Sequence, residues 1–354
     1  MISINIENKP NSGSQSSIAD SPSSASTITL AHLSDPHISC MDAITTRDLF
    51  NKRLPGYLKW KLYRRSGHSD NVLPVLQADL AATKPDHIVV TGDLTHLSLS
   101  TEFKKARQWL QTLGSPSKVT VIPGNHDAYV HTDWHKTMVH WTEYMLSDIN
   151  QGAKHLTNNI NHIFPCLRIR DHVAIIGVCT AQPTALHLAV GSIGTGQLGR
   201  LEKILSQTAG QEYFRVLLIH HPPIPGTVSW RKRLTDAPAL QSLLAHYDVE
   251  LILHGHTHFA HQCNLKTLSG NVPVMGAPSI TALNNAADRR ARYYIYRISP
   301  MDNNWNVRLQ VRVYSPSESR FKKESEQQIS DHQQSWGYGD VPSKGPGPRS
   351  AGGR

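Results

Sequence analysis

Five short apolar runs divide this chain, and each run ends in side chains that can bind a metal ion or a phosphate. The runs are rich in aliphatic and β-branched residues, which is typical of strands buried in a sheet. With the polar residues that follow them, the five segments span 28–37, 87–93, 119–127, 216–223 and 251–258. Because loops beyond the carboxyl ends of strands converge in open α/β sheets, we expect the five strand ends to build one site.

The segments between these runs carry apolar residues at helical or at strand spacing. Helical spacing predicts helices over 71–83, 100–113, 134–146, 196–207 and 237–246. A hairpin is predicted over 167–169 and 173–178, and short strands over 272–275, 293–298 and 305–314 close the fold. Periodicity alone therefore indicates an α/β fold with mixed sheets.

The two ends of the chain lack apolar runs. Residues 1–27 are rich in serine and residues 315–354 are low in apolar side chains, so we expect both segments to be disordered. Residues 28–314 are predicted to form one domain, which is large enough for a single core. The sequence has no apolar segment of the kind that a secretory signal or a membrane-spanning helix needs, and we expect neither.

An insertion at about 44–70 separates the first apolar run from the first predicted helix. Between Arg47 and Arg65 it carries seven Lys or Arg against one Asp, a local balance of 7 − 1 = +6. Leu54, Leu58 and Leu62 recur every four residues, which predicts a basic amphipathic helix. Such a helix either packs its leucines on the core or acts as a lid or docking element beside the site.

Overall composition adds a preference for anionic partners. The 354 residues carry a formal net charge of +9, which suits a phosphoester, a nucleic acid or a membrane surface without choosing among them. The four cysteines stand singly, with no repeated spacing. We therefore expect reduced thiols in a cytoplasmic protein, with a peripheral membrane location as the alternative.

The polar residues after the five runs form an ordered series of motifs. They read D-x-H at 35–37, G-D at 92–93, G-N-H-D at 124–127, a strand-terminal histidine at 220 and G-H-x-H at 255–258. In this order they resemble the calcineurin-like metallophosphoesterase superfamily, and the doublet of His220 and His221 is closest in style to class III cyclic-nucleotide phosphodiesterases and glycerophosphodiesterases. The resemblance implies a four-layer α/β/β/α sandwich of two mixed β-sheets flanked by helices.

The resemblance also implies a centre of two metal ions. One ion would take Asp35, His37 and His258, and the other would take Asn125, His220 and His256. Asp93 would bridge them, and a hydroxide shared by the two ions would attack phosphorus. A nitrogen and oxygen ligand set without thiolate suits Mn, Fe, Zn, Co or Ni, so the sequence does not identify the metals.

Five further residues are predicted to act around the metals. By resemblance His126 faces the phosphate as general acid or charge stabiliser, which suits an imidazole at neutral pH. Asp127 is expected to orient His126 rather than to bind metal. His221, Arg231 and Arg233 are candidate substrate contacts, because the first follows a ligand and the others follow on a loop from the same strand end. For His221, a position behind the ligands or on the surface is an equally expected alternative.

These features predict a metal-dependent phosphoric ester hydrolase, with a phosphodiester favoured over a monoester as substrate. One alternative is a nuclease of the same superfamily, which the positive charge would suit. Another is a hydrolase of lipid headgroups or nucleotide sugars at a membrane surface, although the UDP-diacylglucosamine hydrolases carry Arg where this chain has His126. A non-catalytic scaffold is the third, and retention of His126 argues against it. The sequence does not predict an oligomeric state.

Overall fold

Twelve strands form two six-stranded sheets in the computed structural model, which describes residues 26–64, 69–150, 160–284, 286–302 and 304–329. The strands are β1 (Ile28–Leu33), β2 (His87–Val90), β3 (Val119–Val121), β4 (Cys166–Arg170), β5 (Val173–Gly177), β6 (Phe214–Leu218), β7 (Leu251–His254), β8 (His261–Lys266), β9 (Asn271–Gly276), β10 (Arg292–Met301), β11 (Asn304–Ser315) and β12 (Arg320–Ile329). The first sheet has the order β12-β11-β10-β1-β2-β3, and the second has the order β4-β5-β6-β7-β9-β8.

Both sheets are mixed. In the first sheet β1, β2 and β3 are parallel, whereas β10, β11 and β12 run antiparallel to their neighbours. In the second sheet β5, β6, β7 and β9 are parallel, and β4 and β8 pair antiparallel at the two edges. The carboxyl ends of five parallel strands, β1, β2, β3, β6 and β7, therefore carry the five polar motifs.

Within the described ranges, five α-helices flank the sheets. They are α1 (Arg53–Lys59), α2 (Val72–Thr83), α3 (Ser100–Leu113), α4 (Thr195–Thr208) and α5 (Ala237–His246). Among the helices of the described residues, none combines the length and the apolarity that crossing a bilayer requires.

Alternate side chains of the central strands divide the core into two layers. Ile175 and Val216 face the larger core, which also contains side chains of the first sheet and of α2 and α3. Their neighbours Ile176 and Leu217 face a second core under α4 and α5. Since successive strand residues point to opposite faces, a strand with both faces covered is apolar throughout, as β5 is. The four-layer sandwich of two mixed sheets between helices is confirmed.

Most predicted elements occur at their predicted positions, including α2, α3, α4, α5 and the β4–β5 hairpin. The helix predicted over 134–146 is wrong, because this segment forms two 3₁₀ helices, Trp134–Lys136 and Met138–Tyr144. Thr137 between them has φ −133° and ψ −110°, which no helix accommodates. Trp141 is also non-helical, and its buried ring lies 5.3 Å from that of Phe103. Tertiary packing of the aromatic residues overrides the local helical pattern.

The prediction that 315–354 is disordered is wrong for its first part. β12 pairs with β11 at the edge of the first sheet, and of its ten residues only Phe321 and Ile329 are buried. An edge strand needs few apolar residues, because the backbone ladder holds it and charged side chains protect its open side. Residues 1–25 and 330–354 lie outside the described residues, so the predicted disorder there stays a prediction.

The basic insertion is helical, but it is oriented opposite to a helix that packs its leucines on the core. α1 continues into a π-helix, Trp60–Arg64, and Leu54, Leu58 and Leu62 are exposed. The buried side of this helix instead presents Arg53, whose guanidinium donates to the carbonyl oxygens of Leu97 and Ser98. Residues 65–68 lie outside the described part of the chain.

Candidate metal centre

The predicted ligands gather where the two sheets bring their strand ends together. Their backbones are unusual: Asp35, His37, Asp93, His256 and His258 have φ between +46° and +67°. Side chains with a Cβ rarely adopt this left-handed region, and such strain persists only where the surroundings hold it. Five of the seven predicted ligands therefore occupy conformations that chain connectivity alone does not favour.

The first group of ligands consists of Asp35, His37, Asp93 and His258, which offer one atom each within 4.8 Å of one another. Nε2 of His37 lies 3.1 Å from Nε2 of His258 and 3.6 Å from Oδ1 of Asp35. Nε2 of His258 lies 3.2 Å from the same carboxylate oxygen. Two imidazole nitrogens and two carboxylates thus face one small volume.

The second group consists of Asp93, His220 and His256, again with ligand atoms within 4.8 Å of one another. Nε2 of His220 lies 3.4 Å from Oδ1 of Asp93 and 3.2 Å from Oδ1 of Asn125, which places the amide beside this group. Oδ2 of Asp93 is the oxygen nearer to His37, at 3.8 Å from Nε2. The Asp93 carboxylate therefore lies between the two groups, with one oxygen directed to each.

Hydrogen bonds behind the rings determine which nitrogen each histidine offers. Nδ1 of His220 donates to the carbonyl of Thr91 at 2.7 Å, and Nε2 of His256 donates to the carbonyl of Lys232 at 2.9 Å. Each ring then turns the lone pair of its other nitrogen toward the centre. The buried Oδ2 of Asp93 accepts no hydrogen bond from any described residue. Lone pairs that face each other without a proton donor fit cations, and the residues present suit two of them.

The carboxylates of the centre are anionic despite their burial. Burial would raise the pKa of Asp35, but the hydrogen bond and charge of His258 hold this pKa well below its usual range. Burial also opposes ionisation of Asp93, and the charges of His220 and His126 outweigh it, so the pKa of Asp93 is lowered. Two buried carboxylates at one point supply the negative charge that a pair of cations would neutralise.

Two motif glycines allow the strand ends to approach closely. Gly92 has φ +98°, and a Cβ added there would lie 2.6 Å from Nδ1 of His220. A Cβ on Gly124 would collide with Oδ1 of Asp93. Any side chain at either position would therefore separate the ligands of the second group.

His126 lies beside the centre and is held from behind. Its Nδ1 donates to the carbonyl oxygen of His96 at 2.6 Å. The ring is stacked between its neighbours: it is 5.3 Å from the ring of Tyr129, at 15°, and 5.4 Å from the ring of His96, at 23°. It also meets the ring of His37 edge-on at 4.7 Å. The imidazole is thus rigid and next to a predicted ligand.

Asp127 does not have the predicted role of orienting His126. Its carboxylate accepts hydrogen bonds from the backbone nitrogens of Leu94, Thr95 and Gly124 and from the hydroxyl of Thr95. The orienting acceptor of His126 is the His96 carbonyl instead. Burial and the neighbouring Asp93 charge raise the pKa of Asp127 to about 7. Asp127 is a positioning residue that joins two ligand-bearing loops.

The three predicted substrate contacts differ in their surroundings. His221 is fully buried, with Nδ1 at 2.7 Å from the Thr180 hydroxyl and Nε2 at 3.2 Å from the Ala189 carbonyl, so its prediction as a substrate contact is wrong. Arg231 does line the pocket described below. Arg233 is exposed and donates to the carbonyl of Trp230, and it is not among the residues that line this pocket. The ring of His221 instead packs beside predicted ligands, 4.4 Å from the ring of His256 and 5.1 Å from the ring of His220.

A pocket of about 300 Å³ opens over the centre. Four parts of the chain form it: the centre and its neighbours, the basic insertion, the loop 186–189 and the loop 229–232. The lining includes Asp93, His96, Asn125, His126, Tyr129, His256, His258, Lys52, Pro55, Gly56, Leu186, Leu188, Ser229, Arg231 and Lys232.

Sequence reasoning missed several residues of this pocket. Lys52 of the insertion reaches it and donates from Nζ to the Thr184 hydroxyl, the Thr184 carbonyl and the Leu188 carbonyl. The same ammonium lies 4.6 Å from the centre of the Tyr129 ring. The position of His96, three residues after Asp93, weakly indicates that it lies near the site, whereas Lys52 and Tyr129 belong to no motif. Only the folded chain brings them to the pocket.

Comparison with known proteins gives a consistent result. A family model described as calcineurin-like phosphoesterase matches residues 28–260. A cAMP/cGMP dual specificity phosphodiesterase of Mycobacterium tuberculosis is 28% identical over 190 residues, which are 52% of this chain and 52% of that protein. A probable cyclic nucleotide phosphodiesterase of Vesicomyosocius okutanii is 26% identical over 216 residues, which are 60% of this chain and 77% of that protein.

The fold has a counterpart among solved structures. A dimetal phosphatase from Danio rerio superposes with a TM-score of 0.51 at 11% identity, and the match covers 80% of this chain and 95% of that one. At this identity the likeness concerns the fold alone. The chain spans about half the length of the first curated relative and about three quarters of the second.

Proposed function

The chain belongs to the calcineurin-like phosphoesterase family, and on this premise we propose that it hydrolyses a phosphodiester with two cations held by the seven predicted ligands. The observation that carries the proposal is the pair of ligand groups that share Asp93 at the floor of the pocket. Two cations held by these groups would activate water as a nucleophile and neutralise the phosphoryl oxygens. In the net reaction, a P–O bond to the leaving alcohol breaks, water oxygen bonds to phosphorus, and a water proton reaches the alcohol.

His126 is the residue best placed to handle that proton. Because Nδ1 donates to the His96 carbonyl, the proton that can be exchanged in the pocket belongs to Nε2. As imidazolium, His126 would donate this proton to the leaving oxygen, and it would then be restored from solvent. The stacked rings of Tyr129 and His96 keep the imidazole from rotating away from the pocket.

The walls of the pocket favour a small anionic substrate. Arg231 and Lys232 line it, and their charges attract the phosphate that the two carboxylates of the floor would repel. The relatives are named as cyclic nucleotide phosphodiesterases, and we infer a cyclic nucleotide or another compact diester as substrate. A volume of about 300 Å³ suits a ligand of this size better than a nucleic acid strand. This argues against the nuclease alternative.

Two features argue against a non-catalytic scaffold. Backbone strain at the five ligand positions lowers the stability of the fold by roughly 1–3 kcal/mol at each position. A scaffold would have no reason to retain this strain. His126 is also fixed in the pocket although it belongs to neither ligand group that shares Asp93. Strain together with a positioned proton donor is typical of catalysis.

The test is an activity screen of the purified chain loaded with Mn²⁺. The substrates are bis-p-nitrophenyl phosphate, p-nitrophenyl phosphate, 3′,5′-cAMP and single-stranded DNA. We expect turnover of the diesters, with close to two metal equivalents per chain by elemental analysis. Asp93→Asn should abolish turnover and lower the metal content, whereas Asp288→Asn, at an exposed acid that forms an ion pair with Arg289, should change neither. Full turnover by protein shown to be metal-free would contradict the proposal.

A further inference from the structure

The basic insertion exposes a row of apolar side chains. Phe50, Leu54, Leu58 and Leu62 follow one another at four-residue intervals, with exposed fractions of 86%, 43%, 48% and 71%. Leu54 and Leu58 share one face of α1, Leu62 lies on the π-helix that continues it, and Phe50 lies in the turn before it. We name them the leucine row. A row of this kind costs free energy in water unless something covers it.

Contacts on the opposite side of the insertion hold the helix so that the leucine row faces the solvent. Arg53 donates to the carbonyls of Leu97 and Ser98 at 2.8 and 2.6 Å. Tyr57 and Trp60 pack on the small core of Met41, Leu97 and Leu99. Rotating the helix to bury the leucines would remove the buried guanidinium from both carbonyls and expose the two aromatic rings.

Basic residues accompany the leucine row in the sequence. The sequence 47–65 holds seven Lys or Arg, of which Lys52 and Arg53 are directed inward. Arg47 and Lys61 are exposed on the described part of the insertion. An apolar ridge flanked by basic side chains is the pattern of helices that lie in the headgroup region of an anionic bilayer.

Exposed apolar side chains also occur on the neighbouring loops of the pocket. Leu186 lines the pocket and is 51% exposed, and Trp230, between the lining residues Ser229 and Arg231, is 62% exposed. Lys52 joins the insertion to the first of these loops through the carbonyl of Leu188. Exposed apolar side chains therefore occur both on the insertion and on two loops at the rim of the pocket.

We propose that the leucine row docks the protein on an anionic phospholipid membrane. Charge decides between a bilayer and the other possible partners. A second copy of this chain would bring two basic segments together, each with Arg47 and Lys61 exposed, which is repulsive, whereas an anionic leaflet attracts them. A nucleic acid would match the charge but would leave the four apolar side chains in water.

Docking has a consequence for the substrate, and this consequence alone rests on the proposed function. Pro55 and Gly56, on the same helix as the leucine row, form part of the pocket wall. A docked protein would hold its pocket within reach of the headgroup layer. The substrate class that this favours is a phosphodiester anchored in the membrane by an apolar tail.

Co-sedimentation of the full chain with vesicles tests the docking. We expect binding to phosphatidylcholine vesicles that contain phosphatidylglycerol, weaker binding without it, and release as NaCl rises from about 0.1 to 0.5 M. Leu54→Ser/Leu58→Ser/Leu62→Ser should weaken binding roughly tenfold or more. The matched control is Leu268→Ser, at a position 83% exposed between β8 and β9, which should bind as wild type.

The charges are tested in the same assay. Arg47→Gln/Lys61→Gln should weaken binding roughly tenfold or more, because each basic side chain near an anionic leaflet contributes roughly fivefold. Lys118→Gln/Lys203→Gln removes the same charge from exposed positions far along the chain and should have no such effect. If the triple leucine variant fails to fold, Leu62→Glu at a 71% exposed position provides the same test without disturbing packing.

Several outcomes would overturn docking. Wild-type protein that stays in the supernatant with phosphatidylglycerol vesicles is one, and a leucine-row variant that sediments like Leu268→Ser is another. A dimer that the leucine-row variant dissociates, without vesicle binding, would assign the row to a second copy. Loss of single-stranded DNA binding without a vesicle phenotype would assign it to nucleic acid.

Catalysis and docking can fail separately. His126→Ala should bind vesicles as wild type, so an inactive protein still tests docking. Conversely, turnover of soluble bis-p-nitrophenyl phosphate without vesicle binding would support the proposed function and overturn docking. If both hold, the triple leucine variant should lose turnover of a phosphodiester lipid in vesicles while it hydrolyses the soluble diester as wild type does.

Discussion

Single residues at the centre are held in conformations that they would not choose. His256 and His258 both have positive φ, at +67° and +59°, within one turn that follows β7. Such positions cost on the order of 1–3 kcal/mol each, and packing around them has to supply that energy. In return, the ligand atoms are brought together before any cation arrives, so little conformational entropy is lost on binding.

The role of His126 can be measured through the leaving group. His126→Ala removes the proposed proton donor without removing a predicted ligand, so kcat should fall by roughly 10²–10⁴ while metal content stays at the wild-type level. The loss should be smaller for a p-nitrophenyl ester than for an alkyl ester, because p-nitrophenolate leaves without needing a proton. Steady-state kinetics on the two substrates, with elemental analysis of both proteins, measures this.

Two results would change the assignment of His126. Equal losses on both esters would mean that the imidazole stabilises charge rather than donates a proton. A drop in metal content would make His126 a ligand, which would agree with its position close to His37 and His96.

For single residues, the motifs in the sequence indicate which side chains belong to the site but not where each side chain points. Asp127 and His221 stand next to predicted functional residues in sequence, yet one bonds backbone nitrogens and the other is enclosed by Thr180 and Ala189. The ring of His221 lies 4.4 Å from that of His256, so it packs on a predicted ligand without lining the pocket. The carbonyl of His96, which orients His126, has no side-chain signature at all.

Among the elements, the loop 94–99 connects the insertion to His126. Hydroxyls of Thr95 and Ser98 donate to the carbonyl of His126, and Arg53 donates to the carbonyls of Leu97 and Ser98. Glu102 at the start of α3 accepts hydrogen bonds from the backbone nitrogens of residues 96, 97 and 99. This loop therefore holds His126 in place from one side and receives the insertion on the other.

Glu102 should make the stability of the protein depend on pH. Burial raises the pKa of its carboxyl from 4.5 to about 7. Since this pKa is higher in the folded state, the protonated group stabilises the fold below about pH 4.5, and that contribution is lost as pH rises through about 7. Glu102→Gln cannot titrate, so its free energy of unfolding relative to wild type should rise by roughly 1–3 kcal/mol between about pH 5 and 8. Urea denaturation across this range measures the difference, and parallel pH profiles of the two proteins would contradict it.

Lys52 should control how tightly the pocket holds its substrate. Its ammonium joins the insertion to Thr184 and Leu188, so Lys52→Met keeps the apolar stem but releases one wall of the pocket. KM for a soluble diester should rise roughly tenfold with a smaller change in kcat, because positioning rather than chemistry is lost. Lys61→Met, on the exposed side of the same insertion, is the control and should leave both constants unchanged. An unchanged KM in Lys52→Met would separate the insertion from substrate binding.

Elements with a clear apolar period were predictable, and elements defined by their neighbours were not. α3 shows its buried face in the sequence through Phe103, Ala106 and Leu110. β12 exists because β11 offers a backbone ladder, and the largely polar residues of β12 do not indicate a strand. The insertion shows the helical period, but the period cannot indicate that Arg53 rather than the leucines is buried.

For the whole molecule, the site depends on keeping two separate sheets in register. Asp35, Asp93 and Asn125 follow strands of the first sheet, whereas His220 and His256 follow strands of the second. Both ligand groups draw on the two sheets, so a small displacement of one sheet against the other would open both. Apolar packing between sheets is not directional and would tolerate such sliding.

Arg168 supplies a directional link between the sheets. It lies on β4 of the second sheet, its side chain is fully buried, and burial lowers its pKa. Its guanidinium donates to the carbonyl of Val119 on β3 of the first sheet at 2.7 Å, and to the carbonyls of Pro116, Glu143 and Leu146. One side chain thus joins the edge strand of one sheet to the strand that leads to Asn125 and His126.

Removing this link should be costly. Arg168→Met keeps an apolar stem of similar length but leaves four carbonyl oxygens without their donor, so the free energy of unfolding should fall by roughly 3–5 kcal/mol. Arg297→Met is the matched control, because Arg297 makes a partly exposed ion pair with Glu326 at 3.8 Å, and the cost there should be about 1 kcal/mol or less. Guanidinium denaturation of the three proteins measures both values. Because Asn125 and His126 follow β3, diester turnover of the folded Arg168→Met protein should also fall. A stability of Arg168→Met within about 1 kcal/mol of wild type would mean that apolar packing alone keeps the sheets in register.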